Sequence, residues 1–329
     1  MQLGTILDRL HDARSIGDGT VEVNDVCIDS RRVTAGSLFC CVVGSVTDGH
    51  DHAADAVERG AVALLVEREL ELAVPQIVVS DVRGAMAIAA AAVHGDPSRS
   101  MTVVGVTGTN GKTTTTYLLR SILVAAGRRT EVLGTLSGAR TTPEAPDLQR
   151  RLAEWRDSGV EVVAMEISSH ALDLHRVDEV RVAVAVFTNL SRDHLDHHRT
   201  MEEYFEAKAR LFAVDRSERA VVCVDDPHGR LLLDAAVIPT EGYSLAEVEI
   251  VDAAVDATTF TWHGRTVALG LGGSHNVANA LAAAHVAALL GVDDDTIAAG
   301  LSTSVLVPGR FESVHVCLLY TSPSPRDQR

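Results

Sequence analysis

The sequence predicts an α/β protein, in which a small N-terminal α/β domain is followed by a central domain whose mostly parallel sheet is flanked by helices. Three observations support this fold class. The 329 residues leave room for about two domains. Between about residues 100 and 305, short apolar runs alternate with longer helical patterns, as in proteins with parallel sheets. A glycine-rich turn joins the first of these runs to a helix, which marks the central domain as P-loop-type.

The N-terminal domain is predicted over residues 1–97. A helix-like stretch covers residues 52–59, and the strand-like runs are 21–28, 37–43, 61–66 and 76–79. The sequence Asp96-Pro97-Ser98 then interrupts the chain just ahead of the next strand.

The central domain is predicted over residues 98–308. Strands are expected at 101–106, 160–167, 181–187 and 220–224, and helices at 113–126, 147–157, 201–212, 227–233 and 275–290. A β-rich insert is expected at 248–271, where apolar residues recur with a period of two. Within residues 309–329, the stretch from about Cys317 lacks periodicity and is rich in Ser and Pro, so we expect a disordered, foreign tail.

The chain has an excess of acidic residues. Its 29 Lys and Arg residues face 45 Asp and Glu residues, giving a net charge of −16, which argues against sequence-independent binding of nucleic acid. The five cysteines form no C-x-x-C pair, so neither a disulfide framework nor a zinc site is expected. Since the sequence contains no apolar run of 18 residues and no signal-peptide pattern, we expect a cytoplasmic location without membrane association.

The most informative motif is V-T-G-T-N-G-K-T-T, which runs from Val106 to Thr114. A glycine-rich turn between a strand and a helix directs backbone N–H groups and the positive helix end at one point, which binds phosphate. Lys112 adds a mobile positive charge, and Thr113 offers a hydroxyl to Mg²⁺. Val106 stands where the strict G-x-x-x-x-G-K-[ST] pattern has its first glycine, but the context still predicts a nucleoside triphosphate site.

Two polar segments follow predicted strands of the same sheet. Glu166 ends one strand and is well placed to hold Mg²⁺, although a solvated Glu beside a helix-capping Ser168 is the alternative. The segment 187–198 is dense in His and Asp. We expect His194 to be a metal ligand there, and His197 and His198 to be solvated loop residues.

The predicted helix 201–212 carries a lysine within its apolar face. Lys208 falls in the middle of a stripe formed by Met201, Tyr204, Phe205, Leu211 and Phe212. Because a buried unpaired ammonium is costly, periodicity alone favours a lysine whose amine reaches solvent.

Three further motifs are less specific. Asn276 and Asn279 share a face at the start of a long helix, and they suit either a nucleotide contact or a helix start. The runs Asp29-Ser30-Arg31-Arg32 and Thr47-Asp48-Gly49-His50 suit either a second ligand site or simple turns, and their chemistry does not decide between the two.

Taken together, these motifs resemble the Mur ligase family, which builds the peptide stem of peptidoglycan. The resemblance covers residues 1 to about 314, and it rests on four runs in family order: G-T-N-G-K-T-T, M-E-I-S-S-H-A-L, F-T-N-L-S-R-D-H-L-D and P-G-R-F-E. The runs D-S-R and T-D-G-H are similar to the members that add the third residue of the stem.

The resemblance implies a role for each matching residue. ATP would be bound by Gly108, Thr109, Asn110, Gly111, Lys112, Thr113 and Thr114, with Asn276 and Asn279 near its adenosine part. The uridine diphosphate of the substrate would lie at Ile28, Ser30, Ser45, Val46 and Thr47, and its muramoyl dipeptide at Thr141, Thr142, Ser168 and Arg176. One Mg²⁺ would be served by Thr113 and Glu166, and a second by His194 and by Lys208 as N6-carboxylysine. The catalytic set would be Lys112, Glu166, His194 and Lys208.

The implied reaction is ATP-dependent amide-bond formation. The terminal carboxylate of UDP-MurNAc-L-Ala-D-Glu would form an acyl phosphate with ATP, and the amino group of diaminopimelate or lysine would then displace phosphate. The resemblance implies a monomer that requires ATP and Mg²⁺, with no nucleic-acid or membrane partner.

Family members continue into a third domain carrying an Asp-Asn-Pro-Arg motif, which does not occur in this sequence. We therefore expect residues 309–329 to begin with a remnant of the linker to that domain, and the 329-residue chain to bind nucleotide weakly without completing ligation. The alternatives are a ligase like folylpolyglutamate synthase, and a nucleotide-binding protein without catalysis.

Overall fold

The computed structural model of the chain describes residues 1–44, 46–138, 140–193 and 197–303. Ser45, His194 and residues 304–329, all of which carry sequence-based expectations, lie outside the described residues. For brevity, residues 1–97 are called the N-terminal region and residues 98–303 the central region. The division between domains at residues 97 and 98 stays a prediction.

The N-terminal region forms a five-stranded sheet in the order β1-β5-β4-β3-β2, in which only β1 is antiparallel to its neighbour. Its elements are α1 (Leu3–Leu7), β1 (Arg14–Ile16), β2 (Asp25–Cys27), β3 (Ser37–Cys40), α2 (Ala53–Glu58), β4 (Ala61–Val66), β5 (Gln76–Val78) and α3 (Val82–Val93). The four predicted strands and the predicted helix are confirmed, with the strands at 21–28 and 37–43 shorter than expected.

The central region forms a six-stranded, fully parallel sheet in the order β11-β10-β9-β6-β8-β7. Its strands are β6 (Thr102–Thr107), β7 (Thr130–Leu133), β8 (Val162–Glu166), β9 (Val182–Phe187), β10 (Ser217–Cys223) and β11 (Thr240–Tyr243). Its helices are α4 (Lys112–Ala125), α5 (Ala145–Asp157), α6 (Ser169–Asp173), α7 (Met201–Ala209), α8 (Pro227–Asp234), α9 (Ser274–Leu289) and α10 (Asp294–Ser302). The β-rich insert is confirmed as an antiparallel sheet of β12 (Ile250–Ala253), β13 (Thr258–Trp262) and β14 (Arg265–Leu269).

Hydrophobic cores fill both faces of the central sheet. One core joins β6 residues such as Val104 to Leu119 of α4 and Leu281 of α9. The other joins Val103 to Leu148 of α5 and to Tyr204 of α7. Since consecutive β6 residues enter opposite cores, the strand is buried on both sides, as expected for a parallel sheet covered by helices.

Ion pairs join the two regions. Arg32 of the N-terminal region lies 2.8 Å from Asp147 of α5, and Arg150 of the same helix lies 2.9 Å from Asp25. Arg150 also pairs with Asp147 at 2.7 Å, so both contacts belong to one network. This network sets the N-terminal region beside the carboxyl ends of the central strands.

None of the helices in the described residues has the length and apolar character needed to cross a bilayer. The four described cysteines are buried and free: Cys27, Cys40, Cys41 and Cys223.

Candidate nucleotide and substrate site

The glycine-rich turn lies between β6 and α4, as predicted. Gly108 and Gly111 have positive φ angles of 146° and 89°, a backbone region that other residues rarely adopt. Gly108 also lies against the end of β9, since a Cβ atom there would stand 2.0 Å from Thr188 Oγ1. The turn therefore requires glycine for both conformation and space.

Lys112 begins α4 and folds back over the turn. Its Nζ donates hydrogen bonds to the carbonyl oxygens of Gly108 at 2.8 Å and Thr109 at 2.9 Å. The end of β9 supports the turn from the other side, because Asn189 Oδ1 accepts from Asn110 N at 3.0 Å. The positive charge of Lys112 is thereby fixed at the N-terminus of α4, where phosphate groups bind in other proteins.

Glu166 lies beside the start of the same helix and is only 1% exposed, so the alternative of a solvated Glu is wrong. Its Oε1 accepts hydrogen bonds from Thr113 Oγ1 and Thr135 N, both at 3.0 Å, and its Oε2 accepts from Thr135 Oγ1 at 3.1 Å. The side chain of Ser168 does cap α6, accepting from Ala171 N, so this part of the alternative is confirmed. A buried carboxylate met by hydroxyl and amide donors beside a phosphate-binding turn suits a hard divalent cation.

The backbone at Gly134 makes room for this carboxylate. A Cβ atom at Gly134 would stand 2.1 Å from Glu166 Oε1, far inside van der Waals contact. Glycine at this position thus permits the close approach of the two strand ends.

The described residues hold only part of the metal site that the resemblance implies. Thr113 and Glu166 are in direct contact, but no group of three His, Cys, Asp or Glu residues comes together in the described chain. His194, the predicted ligand of the second ion, lies outside the described residues.

Lys208 is buried on α7, contrary to the expectation from periodicity that its amine reaches solvent. The residue is 1% exposed, and its Nζ donates to the carbonyl oxygen of Gly108 at 3.1 Å. It lies 4.4 Å from the ring centre of Tyr204. Burial, together with the nearby charge of Lys112, lowers the pKa of Lys208 to about 6. The amine is therefore largely neutral at pH 7 and lies at the turn.

The expectation that His198 is solvated is also wrong, whereas the side chain of His197 is partly exposed, at 29%. His198 is 4% exposed and packs against Tyr204, with the ring centres 5.2 Å apart. His197 stacks on His170 at 4.1 Å and lies 2.9 Å from Asp173. Both side chains find aromatic partners on α6 and α7, which a loop sequence does not reveal.

A cavity of about 400 Å³ opens beside the turn. It brings the predicted dipeptide contacts together with Lys112 and Glu166 of the phosphate site. Thr142 Oγ1 accepts from Ser168 N at 3.2 Å, and Arg176 donates to the carbonyl oxygen of Thr142 at 3.2 Å. All four predicted dipeptide contacts line this cavity: Thr141, Thr142, Ser168 and Arg176.

A second cavity adjoins the other side of the turn. Asn276 and Asn279 line it together with Gly111 and Thr114. Both asparagines are buried, at 2% and 6% exposure, and a Cβ atom at Gly111 would stand 2.3 Å from Asn279 Oδ1. The predicted adenosine contacts therefore meet the predicted phosphate contacts.

The remaining predicted substrate residues lie in the N-terminal region. Ile28 lines a cavity of about 380 Å³ between the two regions. Ser30 begins a short turn capped by Asp29, while Val46 and Thr47 are exposed, Val46 at 92%. The structure does not bring Val46 and Thr47 into the described cavities around the turn.

Two family profiles match the sequence. The Mur ligase family catalytic domain matches residues 22–101, and the Mur ligase middle domain matches residues 106–287, more than half of the chain. The chain belongs to the Mur ligase family. Mur ligases are ATP-dependent enzymes that require Mg²⁺.

Curated relatives at about 40% identity agree with this placement. The UDP-N-acetylmuramoyl-L-alanyl-D-glutamate–2,6-diaminopimelate ligase of Geobacter metallireducens is 42% identical, over 95% of this chain and 67% of its own length. The ligase of the same name from Geobacillus kaustophilus is 43% identical, over 95% of this chain and 69% of its own length. This Mur ligase thus spans about two thirds of the length of these relatives, which accords with the expectation that family members continue further.

A solved structure of a ligase with the same name superposes with a TM-score of 0.79 at 29% identity, covering 94% of this chain and 68% of that one. Escherichia coli FolC in complex with DHPP and ADP matches with a TM-score of 0.52 at 24% identity, covering 68% of this chain and 61% of that one. The FolC likeness shows a shared fold only, so the alternative of a folylpolyglutamate synthase-like ligase gains no further support.

The sequence analysis did not single out three residues that line the cavities described above. Thr135 hydrogen-bonds both oxygens of Glu166, and Arg140 and Glu144 flank the predicted contacts Thr141 and Thr142. Their only sequence signal is proximity to T-T-P, a run that the resemblance already marked.

Proposed function

We propose that the protein is the Mur ligase that adds the third residue of the peptidoglycan stem, with UDP-MurNAc-L-Ala-D-Glu and ATP as substrates. One observation carries the proposal: the phosphate-binding turn, Glu166 and the Thr142–Arg176 pair line a single cavity. A terminal carboxylate bound at Arg176 would lie in the same cavity as a γ-phosphate bound at Lys112. We assign the complete ligation to the whole-length protein and the binding of both substrates to residues 1–303.

The side chains support acyl activation mainly through position and charge. Lys112, fixed over the turn, offsets negative charge on the transferring phosphoryl group. Arg176 and Thr142 orient the attacking carboxylate. The two negatively charged reactants are thereby held close together in a reactive orientation. Thr113 and Glu166 would hold a Mg²⁺ ion, which supplies further positive charge next to the phosphates.

We propose that Lys208 is carbamylated. The neutral, buried amine adds CO₂ and releases a proton, giving a carbamate whose negative charge a bound cation can pair. This carboxylate, with His194, would complete the second metal site.

We propose diaminopimelate rather than lysine as the incoming amino acid, because the relatives at 42% and 43% identity are named as diaminopimelate ligases. We further propose that the protein is cytoplasmic and monomeric. Light scattering after gel filtration measures its molar mass and tests the monomer.

Isothermal titration calorimetry tests the substrate assignment. We expect the protein to bind UDP-MurNAc-L-Ala-D-Glu and ATP in the presence of Mg²⁺, and not to bind dihydropteroate or folate. Binding of a folate with no response to the uridine nucleotide would favour the folylpolyglutamate alternative. Binding of ATP alone would favour a nucleotide-binding protein without this chemistry.

A further inference from the structure

Three arginines from separate segments meet one buried carboxylate where the two regions touch. Glu144 Oε1 lies 2.8 Å from Arg176 and also accepts a hydrogen bond from Arg140. Glu144 Oε2 lies 3.4 Å from Arg83, which belongs to α3 of the N-terminal region. We call these four residues the Glu144 cluster.

The Glu144 carboxylate is buried and supplies the counter-charge for a buried arginine. The side chain of Glu144 is 7% exposed and that of Arg176 is 11% exposed, while Arg83 and Arg140 are progressively more open to solvent. Burial lowers the pKa of Arg176, and the charge of Glu144 is the main opposing influence. Without Glu144, the buried guanidinium of Arg176 would lose its nearest counter-charge.

The carboxylate is not required for the local helix. Glu144 occupies the N-cap position of α5, yet its side chain makes no capping hydrogen bond and points to the arginines instead. Its backbone carbonyl still accepts from Leu148 N at 2.9 Å. A change at this side chain should therefore affect the arginines more than the start of α5.

The Glu144 cluster separates two cavities. Arg140 and Arg176 line the cavity beside the phosphate-binding turn, and Arg140 and Glu144 line the cavity between the two regions that includes Ile28. A substrate that reaches from the N-terminal region to the turn must pass this cluster. Three guanidinium groups against one carboxylate leave a positive surplus along that path, which suits a ligand with several acidic groups.

We propose that Glu144 is a positioning residue, which holds Arg140 and Arg176 in the orientation that binds the acidic groups of the nucleotide-linked substrate, and which ties this orientation to the N-terminal region through Arg83. This inference rests on the proposed function, and it assigns to Glu144 no contact with substrate.

The test compares Glu144→Gln with wild type by calorimetry, using UDP-MurNAc-L-Ala-D-Glu and, separately, ATP with Mg²⁺. Glutamine keeps the size of the side chain and removes its charge. We expect the variant to bind the uridine nucleotide about tenfold or more weakly and ATP within about twofold of wild type. Glu144→Asp, which restores the charge, should recover part of the loss.

Two further variants complete the design. Glu154→Gln on the same helix removes a carboxylate whose pair with Arg151, at 3.6 Å, is exposed, and it should bind both ligands as wild type does. Arg83→Met should weaken uridine-nucleotide binding, and the double variant with Glu144→Gln should lose less than the sum of the two single changes.

The inference is overturned if Glu144→Gln binds the uridine nucleotide as tightly as Glu154→Gln does. It is also overturned if Glu144→Gln loses affinity for the uridine nucleotide and for ATP equally and has a lower melting temperature. In either case wild type still binds the uridine nucleotide, so the proposed function stands. If wild type itself binds ATP but not UDP-MurNAc-L-Ala-D-Glu, the proposed function fails, and this inference fails with it.

Discussion

The side-chain amine of Lys208 donates a hydrogen bond to the carbonyl oxygen of Gly108 at 3.1 Å, although the two residues are 100 positions apart in sequence. The amine of Lys112 donates to the same oxygen at 2.8 Å. Two amines thus share one acceptor at the phosphate-binding turn. Burial, together with the nearby charge of Lys112, lowers the pKa of Lys208 to about 6, so a neutral amine is available for the reaction with CO₂ that we propose.

Replacement of Lys208 should remove a metal ligand. In the whole-length protein we expect Lys208→Ala to lower the ligation rate by about 100-fold, as loss of a ligand or its support commonly does, and short carboxylic acids to restore part of it. In the 329-residue chain, ¹³C-labelled bicarbonate should give a carbamate resonance that Lys208→Arg lacks. An unchanged rate in Lys208→Ala would refute the carbamate.

Addition of a methyl group at Gly134 should displace Glu166. The new Cβ atom would stand 2.1 Å from Oε1, so the carboxylate must leave its contacts with Thr113 and Thr135. We expect Gly134→Ala to weaken binding of ATP with Mg²⁺ by about tenfold or more. Gly270→Ala is the control, since nothing lies within 4 Å of its added Cβ atom. Equal affinities in the two variants would contradict the prediction.

Neutralisation of Glu166 should uncouple nucleotide binding from Mg²⁺. Glu166→Gln keeps the shape of the side chain but lacks the charge that a hard cation prefers. Calorimetry in Mg²⁺ and in EDTA should show a clear difference in ATP affinity for wild type and little difference for the variant. If Mg²⁺ strengthens binding equally in both proteins, Glu166 is not a ligand.

Asp25 should stabilise the fold at neutral pH and lose this contribution in acid. Burial raises the pKa of this carboxyl, but the nearby His94 and Arg150 outweigh burial and hold it at about 2, against 3.8 for an ordinary Asp. A depressed folded-state pKa stabilises the fold above the unfolded-state pKa, and this contribution is lost as the pH falls from about 4 to about 2. We expect Asp25→Asn to be less stable than wild type at pH 7 by about 1–2 kcal/mol.

Urea unfolding at several pH values measures this difference. The gap between wild type and Asp25→Asn should narrow steadily below about pH 4. Glu218→Gln, which removes an exposed pair with Arg181, should follow the wild-type pH profile. A gap that does not change with pH would show that Asp25 contributes through packing rather than charge.

The periodicity of apolar residues predicted most of the central fold. It missed helices that expose few residues to solvent and strands too short to show a pattern. The strand β6 and the helix α4 are confirmed within one residue at each end. The helix α3 was not predicted, and most of its residues, many of them alanines, are buried. The strands β7 and β11 have only four residues each, too few for a pattern.

In the candidate site as well, some residues could be predicted from local sequence and others could not. A local motif predicted the turn, and strand ends predicted the position of Glu166, since parallel strands place their carboxyl ends together. The burial of Lys208 and His198, and the meeting of Arg83 with Glu144, depend on which helices pack together. Such contacts join residues distant in sequence, and no local pattern carries them.

The position of Lys208 beside Lys112 has a practical consequence, because the chain contains no other lysine. Isotope labelling of lysine alone would give signals from two side chains, and both side chains contact the phosphate-binding turn. Nucleotide binding, cation binding and carbamate formation could then be followed separately in solution, without assignment of the rest of the spectrum.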